Sequence, residues 1–293
     1  MIHKQFIIPS REGEKLRADL RFEPDGKKKP VIIFVHGFKG FKNWGPFPAV
    51  CEQIAAQGFV SIAFNFSHNG VGEDLMNFTE LDRFADNTFS LELDELADVI
   101  NEIVKVDNIP IDVNEIRSDT IGILGHSRGG SITILQAYRH RVVRSVAVWS
   151  APSYFNRYTE RQRIQWRDQG FIEIQNSRTG QTMRLNISLL DDIEKNGDRL
   201  NILSASKALT SREKGLLLIA GSEDMTVKHE ESEKIYASAS IQFAELYIIP
   251  NTGHTFGAEY SNPVIPKPME TVLGITVNFF HRNLVEHPVP FID

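Results

Sequence analysis

Cysteine occurs once in this sequence, at Cys51, so no disulfide within the chain can staple the fold. A lone cysteine suits a reducing compartment. Long apolar runs are missing as well. Residues 31–35 and 216–220 stop at five residues each, where crossing a bilayer takes roughly 20. The opening Met1-Ile2-His3-Lys4-Gln5-Phe6 lacks the apolar stretch of a secretory signal. A soluble, cytoplasmic protein with no membrane partner is expected. A basic excess is also absent. Lys and Arg number 32 against 38 Asp and Glu, so no basic excess exists to displace counterions, which argues against a nucleic acid partner. What is present is ordinary for a globular protein. Hydrophobic residues make up 41% and charged residues 24%, which is enough to build a core. The 293 residues fit one large α/β domain, or a domain with a sizeable insertion.

Residues 4–8 and 16–22 show partial apolar alternation around the turn-like Arg11-Glu12-Gly13-Glu14 and read as an antiparallel hairpin. A polar loop, Asp25-Gly26-Lys27-Lys28-Lys29-Pro30, follows, its lysines read as solvated. Then the pattern changes. Val31-Ile32-Ile33-Phe34-Val35 is apolar at every position, which suits a strand buried on both faces, as in a parallel sheet under helices. Similar segments recur at 59–64, 120–124, 145–149, 215–220 and 244–249. Helical periodicity separates them at 47–57, 88–106, 131–138, 230–239 and 268–284. In the 88–106 segment Leu91, Leu93, Leu96, Val99, Ile100 and Ile103 follow the helical period, and Glu92, Asp94, Glu95 and Asp98 are expected in solvent. Such alternation predicts an α/β fold with a mostly parallel sheet.

One stretch breaks the rhythm. Residues 153–212 contain no buried-type strand, and about 60 residues is too long for a plain connection. They read as a cap or lid inserted after the sixth strand, over the C-terminal edge of the sheet, leaving 1–152 and 213–293 as the core. The tail His287-Pro288-Val289-Pro290-Phe291-Ile292-Asp293 can pack on the body or on a neighbouring subunit.

The chemistry concentrates at three loops. Gly125-His126-Ser127-Arg128-Gly129 matches G-x-S-x-G between a buried strand and an amphipathic segment. There a sharp strand-to-helix turn exposes the Ser127 hydroxyl, and a side chain at 125 or 129 would collide with its neighbours. A hydroxyl needs a base at neutral pH. Of nine histidines, His254 has the right placement, in the loop after the last strand. The imidazole in turn needs a carboxylate to fix its tautomer. Asp224 follows the preceding strand and gives the order Ser, Asp, His, with Glu223 as its competitor. Two backbone N–H donors should face the developing oxyanion. Arg128, next to the nucleophile, is one. Phe38, in the His36-Gly37-Phe38-Lys39-Gly40 loop, is the other. His36 reads as a structural residue holding that loop, and the Arg128 side chain as a helix-surface arginine.

Together these pieces resemble the α/β-hydrolase superfamily over nearly the whole chain apart from the lid. Within it, His36-Gly37-Phe38, Gly125-His126-Ser127-Arg128-Gly129-Gly130, Gly221-Ser222-Glu223-Asp224 and Gly253-His254 are similar to carboxylesterases close to bacterial feruloyl and cinnamoyl esterases. Dienelactone-hydrolase-like and prolyl-oligopeptidase-like enzymes share the same core. One departure stands out. Many members read F-D-x-x-G-x-G after the fourth strand, where this chain has Phe64-Asn65-Phe66-Ser67-His68-Asn69-Gly70-Val71-Gly72. The resemblance implies hydrolysis of small to medium, including aromatic, carboxylic esters with no metal or organic cofactor. Tyr154, Trp166 and Phe171 are candidates for an apolar substrate pocket. A peptidase or amidase, or an acyl thioesterase using Arg157, Arg161, Arg163 and Arg167 on phosphates, are the enzymatic alternatives. A non-catalytic binding protein is the alternative of another class.

Overall fold

The computed structural model describes residues 1–286, and the tail 287–293 lies outside the described residues. The expected hairpin is β1 (Ile2–Pro9) and β2 (Lys15–Phe22), paired antiparallel from Ile2 opposite Phe22 to Pro9 opposite Lys15. Next come β3 (Lys29–Val35), α1 (Phe47–Ala56), β4 (Val60–Phe64), the short α2 (Leu81–Ala85) and α3 (Phe89–Lys105). The chain continues with β5 (Ile116–His126), α4 (Arg128–Ala137) and β6 (Val143–Trp149).

Between β6 and the next sheet strand stand α5 (Glu160–Gln169), the hairpin β7 (Phe171–Gln175) and β8 (Thr182–Asn186), α6 (Ile187–Lys195) and α7 (Ile202–Thr210). The fold closes with β9 (Gly215–Gly221), α8 (His229–Ser238), β10 (Ala244–Ile249), α9 (Lys267–His281) and a π-helical turn at Arg282–Glu286. No described helix is long and apolar enough to cross a membrane.

Eight strands form one sheet in the order β1-β2-β4-β3-β5-β6-β9-β10. The six from β4 to β10 run parallel, and β2 meets β4 antiparallel. Every residue of β3, β4, β6 and β9 is buried. Because neighbouring side chains on a strand point to opposite faces, these strands are covered on both sides. Helices α3, α4, α7 and α8 pack successively side by side, while α1 lies against β2 and β4 and α9 against β9.

Helix α3 has clear punctuation. The Thr88 side chain accepts a hydrogen bond from the Leu91 amide at 3.1 Å, and Val106, at φ 64°, ends the helix in left-handed geometry. Its acidic face departs from expectation. Glu92 and Glu95 are buried at 4% and 1% exposure, while Asp94 and Asp98 bind Arg11. The reason is lateral packing: α3 lies against α4 and the β4–α2 loop, so the flank beside its apolar stripe is also enclosed. Helix α4 begins at Arg128, three residues before the periodicity suggested, because Gly129 and Gly130 carry no apolar signal.

Candidate active site

Strand β5 ends at His126 and α4 begins at Arg128, leaving Ser127 alone on the turn at φ 55° and ψ −127°. That strained backbone survives because the surroundings leave no alternative. A Cβ at Gly125 would lie 2.6 Å from the Gly129 carbonyl oxygen, and one at Gly129 would penetrate the carbonyls of Val35 and His36. The elbow is thus pressed against the end of β3.

Across the turn the Ser127 hydroxyl meets His254 Nε2 at 2.9 Å, and His254 Nδ1 meets Asp224 Oδ2 at 2.7 Å. Asp224 is 3% exposed, and its Oδ1 accepts from the amides of Thr226 (2.8 Å) and Val227 (2.9 Å). Burial works to raise the Asp224 pKa, but the His254 imidazole and these two amides outweigh it and hold the group below its ordinary value. Glu223 stays in solvent, its amide tied to the Thr252 carbonyl. The fold therefore brings Ser127, His254 and Asp224 into one hydrogen-bonded line and leaves Glu223 out.

Gly37 abuts the elbow, since a Cβ there would sit 2.9 Å from Ser127 Cβ and 3.5 Å from the Arg128 nitrogen. Phe38 follows it at the cleft wall. The Arg128 amide occupies the first position of α4, where no carbonyl one turn earlier belongs to the helix. His36 Nδ1 lies 2.9 Å from the Gly37 carbonyl oxygen, and its Nε2 accepts from the Phe66 amide at 3.3 Å. Fully enclosed, His36 has its pKa pushed down by burial to about 4, so it is neutral at pH 7. His126 behaves alike, at about 3, with Nε2 3.1 Å from the His254 carbonyl oxygen. The departing loop 64–72 buttresses this region. Asn65 Oδ1 accepts from the Lys42 amide at 2.7 Å, and Asn69 Nδ2 donates to the Gly40 carbonyl at 3.4 Å.

Arg128 is not on the surface. It is 8% exposed, paired with the buried Glu92 at 3.3 Å, and stacked over Phe38 and Phe89 at 4.0 and 4.6 Å. The helix periodicity misled because α4 is enclosed by α3 and α7.

Ser127 opens into a cleft of about 380 Å³. Its apolar side is Phe38, Trp44 and Phe47, and its polar side is Lys39 with Asn176, Ser177 and Arg178 from the β7–β8 turn. None of the three aromatics expected as a pocket lines it. Trp166 is fully enclosed, edge-on to Tyr158 at 4.9 Å, and Phe171 faces a separate cavity with Tyr158 and Gln162. Tyr154 is 47% exposed and lines another groove near Leu200. Composition marked these aromatics, but Trp166 packs inside the insertion, Phe171 and Tyr154 line other cavities, and the β7–β8 turn is what reaches the cleft. Polar turn residues such as Arg178 carry no sequence signal that separates them from solvated loops.

A dienelactone hydrolase family model matches residues 18–167, and a prolyl oligopeptidase family model matches residues 93–268. The chain belongs to these two families of α/β-hydrolases. Solved structures resemble this hydrolase over almost its full length. The esterase domain of a Rhodothermus marinus protein is 18% identical with a TM-score of 0.64, covering 96% of this chain and 99% of that one. Est1E from Butyrivibrio proteoclasticus, in a complex with ferulic acid, is 20% identical with a TM-score of 0.69, covering 94% and 98%. The α/β-hydrolase GrgF from Penicillium sp. sh18 is 15% identical with a TM-score of 0.68, covering 97% and 99%. At such identities the likeness concerns the fold. No curated protein sequence matches the hydrolase.

Proposed function

We propose that the chain is a serine carboxylesterase, hydrolysing small to medium carboxylic esters, aromatic ones included, through an acyl-enzyme on Ser127. The observation that carries this reading is the continuous line Ser127 Oγ–His254 Nε2 (2.9 Å) and His254 Nδ1–Asp224 Oδ2 (2.7 Å) at the floor of an open cleft. Ser127 Oγ attacks the ester carbonyl while His254 takes its proton. Asp224 stabilises the imidazolium and holds the ring in the tautomer that leaves Nε2 free to accept. The amides of Phe38 and Arg128 receive the oxyanion, each such donor being worth about 3 kcal/mol. His254 then protonates the departing alcohol. In the second half it deprotonates a water that releases the acid and restores Ser127.

The Phe38, Trp44 and Phe47 wall supports an apolar or aryl acyl group. The segment 153–212 serves as the cap, its β7–β8 turn closing one side of the cleft. The thioesterase alternative loses its motive, because none of Arg157, Arg161, Arg163 and Arg167 lines the cleft, and Arg157 binds Glu231, Arg163 binds Glu160 and Arg167 binds Glu194. The single Cys51 is buried with its thiol pushed up to about 11 by burial, so it is not a competing nucleophile.

The test is hydrolysis of 4-nitrophenyl esters from acetate to decanoate, plus an aryl acyl ester, by wild type and Ser127→Ala side by side. Turnover lost by about 10³-fold or more in the variant supports the nucleophile. Wild-type turnover unaffected by Ser127→Ala, or no labelling of Ser127 by a fluorophosphonate, overturns the reading.

A further inference from the structure

Two hydrogen bonds join His254 to the neighbouring pair His126 and Ser127. One is the link from its Nε2 to Ser127 Oγ at 2.9 Å. The other uses its backbone: the His254 carbonyl oxygen lies 3.1 Å from His126 Nε2. A carbonyl can only accept, so His126 Nε2 carries the proton and donates it. Among the described residues no other donor reaches that carbonyl. Because His126 and Ser127 are covalent neighbours, the two links close a ring between the elbow and the base.

The rest of the His254 loop is anchored at its flanks. The Thr252 carbonyl accepts from the Glu223 amide at 2.9 Å, and the fully enclosed Phe256 meets Trp149 edge-on at 6.1 Å. Asn251 and Phe256 are both held at positive φ, 55° and 51°, so the loop keeps its shape only while its contacts hold it. Asp224 fixes the far side of the imidazole through Nδ1. What fixes the backbone of His254 itself is the N–H of His126.

A histidine suits this place electrostatically. The two ring centres are 5.1 Å apart, where a cation would oppose the imidazolium that forms on His254. Burial first, and the neighbouring His254 second, push the His126 pKa down to about 3. The ring is therefore neutral at pH 7 and still offers one N–H. Phe47 packs on it at 5.6 Å.

We propose that His126 is a positioning residue for ester hydrolysis: its Nε2–H holds the His254 backbone so that the imidazole meets Ser127 Oγ, and the chemical step slows when that donor is lost. The inference rests on the esterase reading above and deepens it. His126 makes no bond to substrate. The proton from Ser127 still passes to His254 Nε2 and from there to the departing alcohol.

The experiment measures kcat and KM for 4-nitrophenyl butyrate, and the rate of fluorophosphonate labelling of Ser127, in wild type, His126→Leu, His126→Gln and His126→Asn. Glutamine carries an amide N–H where the imidazole has Nε2, whereas asparagine is one methylene shorter and cannot reach the His254 carbonyl. In His126→Leu and His126→Asn, kcat and the labelling rate are expected to fall about 10²-fold with KM within about two-fold of wild type. His126→Gln should return both rates to within about five-fold of wild type. Thermal unfolding of each variant reports stability separately, since a merely structural role lowers the midpoint and leaves kcat of the folded protein unchanged. Wild-type kcat and labelling in His126→Leu, or in His126→Asn should the leucine variant not fold, overturn the inference and leave the esterase reading standing. Equal losses in His126→Gln and His126→Asn, loss of folding included, also overturn it, because the position of the donor then counts for nothing. A wild type that neither hydrolyses the ester nor takes the label overturns the esterase reading itself, and this inference with it.

Discussion

The guanidinium carbon of Arg128 lies 4.0 Å from the centre of the Phe38 ring, so the two residues assigned to the oxyanion are clamped together by their own side chains. The stack continues on both sides: Phe84 lies on Phe38 at 5.4 Å, and Glu92 pairs with Arg128 inside the core. Asn87 donates to Glu92 at 2.7 Å and completes the enclosure. Burial raises the Glu92 pKa, and the Arg128 guanidinium and the Asn87 side chain oppose that rise.

Arg128→Met is therefore expected to lower stability by about 3–5 kcal/mol, because it strands a buried carboxylate. Adding Glu92→Gln should recover much of that loss. The double variant should still show a reduced kcat, since the guanidinium no longer clamps Phe38 over the elbow and only the Phe84 side of the stack remains. Urea unfolding and steady-state kinetics on the two variants separate the effects. A double variant with full kcat would show that the clamp serves stability alone.

Glu95 sets a pH dependence of stability. Burial pushes its carboxyl up to about 7, against the opposing hydrogen bonds from the Ser67 amide and hydroxyl. A carboxyl with a raised folded-state pKa binds its proton more tightly when folded. Its contribution is full below the unfolded value near 4.5 and is lost as pH rises toward 7. A shift of that size corresponds to about 3 kcal/mol. Urea midpoints measured from pH 5 to pH 8 should fall in wild type and flatten over the same window in Glu95→Gln. Parallel curves would assign the decline to other groups.

Gly129→Ala is expected to abolish activity and cost at least about 2 kcal/mol, because its Cβ would enter the carbonyls that end β3. Gly274→Ala, on α9 with nothing within 4 Å of an added Cβ, is the matched control and should be neutral or slightly stabilising. Thermal unfolding of the two variants checks the contrast.

Trp166→Ala should cost about 3–5 kcal/mol, as expected for removing a fully buried indole. The order of preference across the 4-nitrophenyl ester series should stay the same, because Trp166 does not line the cleft. A reordered series with unchanged stability would return Trp166 to the substrate.

The core architecture was legible in the sequence because both of its signals are local. The unbroken apolar runs that became β3, β4, β6 and β9 identify strands covered on both faces, and periodicity near 3.6 places the helices between them. Ser127, Asp224 and His254 were legible for a related reason. Each stands on a short loop directly after a recognisable strand, and a parallel sheet brings such loops to one edge.

Local pattern fails where exposure depends on what a second element covers. The acidic residues of α3 and the Arg128 side chain read as solvated, yet α3 and α4 pack together and turn Glu92 and Arg128 into a buried pair. The insertion inverts the expectation in the other direction. Its aromatics, conspicuous in composition, pack away from Ser127, while the unremarkable turn Asn176-Ser177-Arg178 reaches the cleft. The sequence determined which strands, helices and reactive loops exist, since these follow from the order of neighbouring residues. Only the tertiary structure decided which charges are buried and which side chains line the cleft at Ser127, because both depend on contacts between residues far apart in the chain.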